Sequence, residues 1–196
     1  MRSRPITGPL TLLILTLPVL AACGRDASLS EASPFIPSDT LCQRFGCSGT
    51  FVDGIEWSDA RGNNIFFLTR EDIESGPQGE QITRLRGYRF VLLGEEGSRQ
   101  SWQWSDEAEN MCDLGEGLIG DIELTDLNED GVGEVSWLYN VAGTCDVSPK
   151  TRGIVIHTGV GSGAHEGEGE TEEGVLRSIP EAFHEHSRRL LKRIEN

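Results

Sequence analysis

Short runs that alternate apolar and polar residues, separated by turns, constrain the fold of this chain more than any other feature. The runs 50–57 and 64–69 flank a turn-forming segment, residues 59–63, and this arrangement predicts a β-hairpin. Seven such runs are predicted to form strands: 50–57, 64–69, 88–93, 101–104, 121–124, 134–139 and 153–157. Regular short strands with short connections predict a mainly β fold, an antiparallel sheet or sandwich.

One α-helix is predicted, over residues 180–195. Pro180 suits a first helical position because its fixed φ is already helical. A stripe at helical spacing follows it, formed by Phe183, His186 or Ser187, Leu190 and Ile194. We expect this stripe to pack on the sheet, and the basic residues of the last turns to suit the helix dipole or to dock a partner or the membrane surface.

The N-terminus has the layout of a bacterial secretory signal. Arg2 and Arg4 precede an apolar stretch, residues 9–22, that is shorter than the about 20 residues a membrane span needs. The junction Leu20-Ala21-Ala22-Cys23 matches the lipobox of bacterial lipoproteins. This predicts a signal peptide over 1–22 and lipidation of Cys23; the alternative is an ordinary secretory signal with a cysteine nearby. Gly24 carries no inner-membrane retention signal, so we expect an outer-membrane lipoprotein, on the periplasmic face or the cell surface.

Behind the lipid anchor, residues 23–41 are rich in Ser, Ala, Asp and Pro and are predicted to be a flexible tether. Residues 42–196 are predicted to form one β-rich domain. Its segment 158–174 is rich in Gly and Glu and is expected to be a mobile loop.

Five cysteines minus the lipidated one leave four, Cys42, Cys47, Cys112 and Cys145. An even number in an oxidising compartment predicts two disulfides rather than a metal site. Three connectivities can be drawn, and we favour Cys42–Cys47 as a local loop with Cys112–Cys145 as a long-range staple.

The charge of the chain narrows its partners. The full chain carries −15, and removal of residues 1–22 deletes Arg2 and Arg4 and no acidic residue, which leaves about −17. This balance argues against nucleic acid, whose phosphates require a basic face, and against electrostatic binding to anionic lipid. It is compatible with a cation or a basic partner, but we favour the simpler interpretation that the charge keeps the protein soluble.

The segment 126–134 places oxygen donors at alternating positions around a glycine, D-x-N-x-D-G-x-x-E. Five ligands are predicted for a calcium ion: the side chains of Asp126, Asn128, Asp130 and Glu134 and the carbonyl of Val132. The alternative is a metal-free turn whose side chains cap their own backbone. The loop resembles the calcium loops of integrin-type propeller repeats, but it occurs once, so a propeller is not expected.

A wider pattern covers about residues 50–195. It runs Trp102-x-Trp104-x-Asp106, Cys112, the 126–134 segment, Leu138-Tyr139, Cys145-Asp146-Val147-Ser148-Pro149 and Pro180-x-x-Phe183. The order resembles a family of small secreted or lipid-anchored bacterial proteins labelled as surface-polysaccharide biosynthesis proteins. That resemblance implies a Cys112–Cys145 disulfide and one β-rich domain with a terminal helix. This chain departs from it in the insert 158–174.

The sequence contains no G-x-S-x-G elbow, H-E-x-x-H helix or P-loop. We therefore expect a non-catalytic envelope lipoprotein that binds or scaffolds an envelope protein or polysaccharide, with calcium as its candidate cofactor. The alternative is an envelope glycan hydrolase that uses paired carboxylates, drawn from Asp106, Asp126 and Asp146. An acidic loop closed on itself, with Trp102 and Trp104 buried, would favour the first.

Overall fold

Two antiparallel β-sheets form the described part of the chain. The computed structural model describes residues 29–38, 40–75, 80–110, 121–140, 152–159 and 163–193. Sheet A has five strands in chain order: β1 (Ser33–Pro34), β2 (Thr50–Asp59), β3 (Gly62–Ser75), β4 (Glu80–Leu92) and β5 (Ser98–Asn110). Sheet B has four: β6 (Glu123–Thr125), β7 (Glu134–Asn140), β8 (Arg152–His157) and β9 (Ala164–Gly169).

The predicted hairpins are present. Strands β2 and β3 pair around the turn at residues 59–62, and β4 and β5 pair around a 3-10 turn at Gly94–Glu96. Strands β6 and β7 flank the acidic loop (residues 126–134). The mainly β, antiparallel fold expected from the alternating runs is therefore confirmed, and its strands β3, β4 and β5 extend beyond the predicted runs.

Alternation along the strands places buried side chains on both faces of both sheets, while other outward-facing positions, such as Gln103 and Ser105 on β5, are exposed. The inner faces of sheets A and B pack together in a sandwich core that includes Trp57, Phe66, Trp102, Trp104, Val135, Trp137, Tyr139 and Val155. The outer face of sheet A carries an aromatic cluster of Phe45, Ile65, Phe67, Tyr88 and Phe90. The outer face of sheet B carries Leu138, Ile154 and Ile156 against helical residues near the C-terminus.

The predicted C-terminal helix is present as a 3-10 turn, Glu181–Phe183, followed by α3 (His184–Lys192). Its buried side is the predicted stripe: Phe183, His186, Ser187, Leu190 and, in addition, Leu191. Ile194 lies outside the described residues. The stripe covers the outer face of sheet B, as expected from its periodicity.

Part of the predicted tether belongs to the folded domain. Ser33 and Pro34 pair with β2, and Leu29 and Ala32 pack against the sandwich core. A short helix, α1 (Leu41–Phe45), follows and places Phe45 in the outer aromatic cluster. Burial of these apolar side chains outweighs the polar composition that suggested a tether. Residues 23–28 lie outside the described residues.

The Gly- and Glu-rich insert also differs from expectation. Residues 164–169 form the edge strand β9, and Glu172–Leu176 form helix α2, whose N-terminus is capped by the Thr171 hydroxyl. A β-carbon built on Gly167 would lie 2.0 Å from the Val175 carbonyl oxygen. The glycine is therefore needed because α2 lies directly on β9, a tertiary contact that composition does not reveal.

The Cys42–Cys47 disulfide is confirmed, with a Cα–Cα distance of 4.4 Å, and it closes the end of α1. Cys23, Cys112 and Cys145 lie outside the described residues. Across the described ranges, no helix has the length and apolar character that a membrane crossing requires.

Candidate functional site

The acidic loop is closed on itself by bonds between its side chains and its own amides. Both carboxylate oxygens of Asp126 accept, from the amides of Asp130 and Gly131 at 3.0 Å each. The Asn128 oxygen also accepts from the Asp130 amide, and the Asp130 carboxylate accepts from the Val132 amide at 2.8 Å. These bonds fold alternate oxygen-bearing side chains into one tight turn.

Left-handed backbone positions let the loop turn this sharply. Glu129 has φ 56°, and Gly131 has φ 74°. Glycine adopts this region without steric cost, which explains the glycine of the D-x-N-x-D-G pattern. Glu129 is exposed, so the side chain at the strained position takes no part in the contacts of the loop.

Glu134, the last acidic residue of the loop, is fully buried. Its Oε2 accepts from the Leu127 amide at 2.7 Å and from the Thr125 hydroxyl at 3.3 Å. Its Oε1 is buried and has no hydrogen-bond partner among the described residues. Burial raises the pKa of this carboxyl, against the lowering effect of the Leu127 amide, the Thr125 hydroxyl and the Asn128 amide. The carboxylate therefore lies beside the first residues of the loop, with Oε1 as its unpaired oxygen.

The donor set fits a hard cation better than any other group, because carboxylate, amide and carbonyl oxygens are the ligands that calcium prefers. In the described part of the chain, no three His, Cys, Asp or Glu side chains are gathered closely enough to hold a metal. The five predicted ligands therefore share one loop, but the carboxylates among them are not drawn together around one point.

A buried ion pair fastens the acidic loop to sheet A. Asp59 Oδ2 accepts from Arg89 at 3.2 Å, from the Trp57 indole at 3.0 Å and from the Gly133 amide at 3.1 Å. Arg89 in turn donates to the Gly133 carbonyl at 3.0 Å and lies over the Trp57 ring. The charges of Asp59 and Arg89 are thus paired and hydrogen-bonded, as burial demands. Sequence reasoning missed this cluster.

A signal for the cluster was present in β4. Arg89 stands between Tyr88 and Phe90, which face the outer aromatic cluster, so its side chain points into the sandwich. Burial lowers the pKa of Arg89 to about 10, and the charge of Asp59 opposes that shift. A charged residue at an inward strand position requires a partner of opposite charge. The alternation of β4 could therefore have indicated that Arg89 is paired with a buried acidic residue.

His157 lies beside Arg89 in the sandwich. Its ring stacks on Trp102 at 4.1 Å between centroids, and its Nδ1 contacts the Gly163 carbonyl oxygen at 3.1 Å. Burial lowers the pKa of His157 to about 4, and the charge of Arg89 acts in the same direction. The imidazole is therefore neutral at pH 7 and serves as a flat packing surface.

A second polar cluster joins β7 to α3 and resembles a nucleophile–base pair. Ser136 Oγ lies 2.8 Å from His186 Nε2, and Glu123 Oε2 lies 4.0 Å from His186 Nδ1. Arg189, however, lies 2.8 Å from the same Nδ1. An arginine only donates, so Nδ1 is the acceptor nitrogen and Nε2 donates its proton to Ser136.

That tautomer leaves His186 without a free lone pair toward the hydroxyl, so it cannot take the Ser136 proton. Ser136 is also fully buried. Burial lowers the pKa of His186, and Arg189 and Arg193 act in the same direction against Glu123. The cluster therefore positions α3 on sheet B.

An open cleft of about 620 Å³ lies between the acidic loop and α3, and we call it the α3 cleft. Exposed Leu127 forms one side. Its other lining residues are Ala182, Glu185, His186, Arg188, Arg189 and Lys192. Arg188 pairs with Glu172 and Arg189 with Glu123, yet both side chains remain about half exposed. The cleft gathers positive charge on an otherwise acidic chain.

The remaining predicted residues divide between core and loop. Trp102 and Trp104 are buried in the sandwich, so neither forms a sugar-stacking platform. Asp106 lies on β5 and Asp126 is held by loop amides, while Asp146 lies outside the described residues. No protein-family model matches this chain, and no curated protein or solved structure is significantly similar to it.

Proposed function

We propose that this protein is a non-catalytic, lipid-anchored envelope protein whose folded domain binds or scaffolds an anionic component of the cell envelope. One observation favours this role over the hydrolase: Trp102 and Trp104, which a sugar-stacking surface would have to present to solvent, are buried in the sandwich core. Among the acidic candidates, both oxygens of Asp126 accept from loop amides, and Asp106 is partly exposed on β5. The lipobox at Cys23 and the resemblance to surface-polysaccharide proteins support the location.

The α3 cleft supports the binding role. Four of the 17 basic residues of the chain fall within residues 188–193, and three of the residues that line the cleft are basic. An acidic polymer would gain from these charges while the rest of the surface repels it, which favours one orientation of binding. Leu127 adds an exposed apolar contact beside them.

Binding of an acidic polysaccharide tests the cleft. Polygalacturonate is offered as the acidic probe and dextran as the neutral one, at low and at physiological salt. We expect binding of the acidic polymer only, and a several-fold loss in the double variant Arg188→Gln/Lys192→Gln. Arg99→Gln is the matched control, since Arg99 is exposed on β5 in the other sheet. Equal binding by the two variants would contradict the proposed surface.

The location and the absence of catalysis need separate tests. Radiolabelled palmitate should enter the wild-type protein and not Cys23→Ser, and the wild type should fractionate with the outer membrane. Release of reducing ends from purified cell-wall glycan, lost in Asp106→Asn or Asp126→Asn, would instead establish the hydrolase.

A further inference from the structure

The acidic loop pairs a calcium-type set of oxygen donors with a buried carboxylate that lacks a bond. Fully buried polar oxygens in folded proteins nearly always have a partner, because an unpaired one loses its bond to water and gains nothing in return. Glu134 Oε1 is such an oxygen, and its neighbour Oε2 is bonded to the amide and hydroxyl at the start of the same loop. The unpaired oxygen therefore belongs to a carboxylate that is already bonded to the start of the loop.

We infer that the acidic loop binds one calcium ion, with Asp126, Asn128, Asp130, the Val132 carbonyl and Glu134 as its ligands. The ion would supply the missing partner of Glu134 Oε1. It would also neutralise the negative charges of the carboxylates that belong to the same tight turn. In an EF-hand loop, the last ligand is a glutamate at the twelfth position. Here the twelfth position is Trp137, a residue of the sandwich core, so Glu134 at the ninth position would be the last acidic ligand.

The loop is attached to sheet A at one end and exposed to solvent at the other. Its far end is fixed, since the Gly131 carbonyl accepts from the Ala60 amide and the Gly133 amide donates to Asp59. Asn128 and Asp130 are exposed, and their side chains make hydrogen bonds within the loop, to each other and to the Asp130 and Val132 amides. Binding therefore requires these residues to close toward Glu134 while the attachment to sheet A stays in place.

This ion site is independent of the proposed envelope role, because a binding domain could function with or without it. Calcium rather than magnesium is expected, since five protein oxygens suit the larger ion, whereas magnesium is usually held by one or two carboxylates and several waters. Calcium affinity and the thermal stability of the full chain are two independent measures of the ion site.

The test titrates calcium chloride, and separately magnesium chloride, into the full chain freed of metal with EDTA, by calorimetry and by thermal melting. We expect one calcium per chain and a rise of about 5–10 °C in Tm when calcium exceeds its Kd about 100-fold. Glu134→Gln should abolish the rise, because its amide keeps an acceptor for Leu127 but offers the ion no charge. Glu129→Gln, the same change of charge at an exposed position of the same loop, should retain it.

Each other outcome overturns the inference. Identical melting curves in EDTA and calcium, with no heat of binding, would make the loop a metal-free turn. A calcium response that survives Glu134→Gln would place the ion elsewhere. If Glu134→Gln does not fold, exposed Asp130→Asn takes its place, and a full calcium response in that variant would be equally decisive.

Discussion

Asp59 and Glu134 are two buried carboxylates that differ in their hydrogen bonds. They are 75 residues apart in sequence, but Asp59 is bonded to Gly133, the residue before Glu134. Asp59 takes bonds from Arg89, the Trp57 indole, the Gly133 amide and, on its other oxygen, the Arg61 amide. Glu134, the neighbour of Gly133, is equally buried, yet one of its oxygens has no partner. Asp59 is complete as a structural charge, whereas Glu134 is complete only if something else binds it.

The comparison teaches that burial alone does not assign a role to an acidic residue. A buried carboxylate with a cation and several N–H donors holds the fold, and its removal leaves the cation stranded. A buried carboxylate with spare bonding capacity imposes a desolvation cost on the fold that a ligand can offset. Mutations that remove the same charge at the two positions should therefore have different effects.

The largest effect is expected at Asp59. Asp59→Asn leaves the Arg89 guanidinium buried without its counter-ion, and we expect the free energy of unfolding to fall by about 3–5 kcal/mol in urea titrations. Glu56→Gln, an exposed carboxyl on the same strand, should change it by less than about 0.5 kcal/mol. A loss below about 1 kcal/mol at Asp59 would show that the pair does not hold the loop to sheet A.

The burial of His157, with the charge of Arg89 beside it, should make the stability of the fold depend on pH. The folded-state pKa of about 4 lies below the ordinary 6.5, so only the unfolded chain takes up a proton between these values. His157 therefore contributes no penalty above about pH 6.5, and stability falls by up to about 3 kcal/mol as the pH drops toward 4.

Urea titrations at pH 7 and pH 4.5 measure this loss. His157→Phe preserves a flat ring against Trp102 and removes the titrating group, so the variant should lose less stability between the two pH values than the wild type. Parallel losses in both proteins would assign the acid sensitivity to other groups.

A smaller effect is expected when one donor is removed from Asp59. Trp57→Phe keeps an aromatic ring under Arg89 and deletes the indole N–H, which should cost about 1–3 kcal/mol from the unsatisfied carboxylate. Trp137→Phe is the matched control, because the Trp137 indole N–H is buried without a partner. Both variants lose the same amount of ring area. Thermal melts should therefore show a larger fall in Tm for Trp57→Phe than for Trp137→Phe.

The smallest effect is expected at Glu134 in the absence of metal. Glu134→Gln keeps an acceptor for the Leu127 amide and removes a buried charge, so in EDTA the free energy of unfolding should change by about 1 kcal/mol or less, or rise. Urea titrations of Glu134→Gln and Asp59→Asn, both in EDTA, measure the difference in the free energy of unfolding. Equal losses in the two variants would remove the distinction between the carboxylates.

Much of the architecture follows from local pattern. Period-two alternation located seven of the nine strands found in the described ranges, and the Pro180 stripe located α3, because these signals report which faces a segment buries. The strands β1 and β9 escaped, the first because only Ser33 and Pro34 pair. β9 escaped because its Gly- and Glu-rich sequence has no apolar alternation.

The residues of the acidic loop could be predicted from the sequence, but the hydrogen bonds that attach the loop to the rest of the fold could not. The D-x-N-x-D-G-x-x-E spacing named the residues of the acidic loop, since neighbouring side chains on a tight turn must lie near one another. Its attachment to Asp59 and Arg89, and the contact between Ser136 and His186, join residues 74, 44 and 50 positions apart. No local signal encodes such pairings.

Local sequence accounts for the strand and helix periodicities, the Cys42–Cys47 pair and the residues of the acidic loop, because each depends on residues that are close along the chain. Which charges are buried and which are paired follows from the packing of distant segments. This packing placed Arg89 against Asp59 and left Glu134 Oε1 without a partner. The physical reason is that the free energy of a buried charge depends on the donors around it, and these are assembled only when the two sheets pack together.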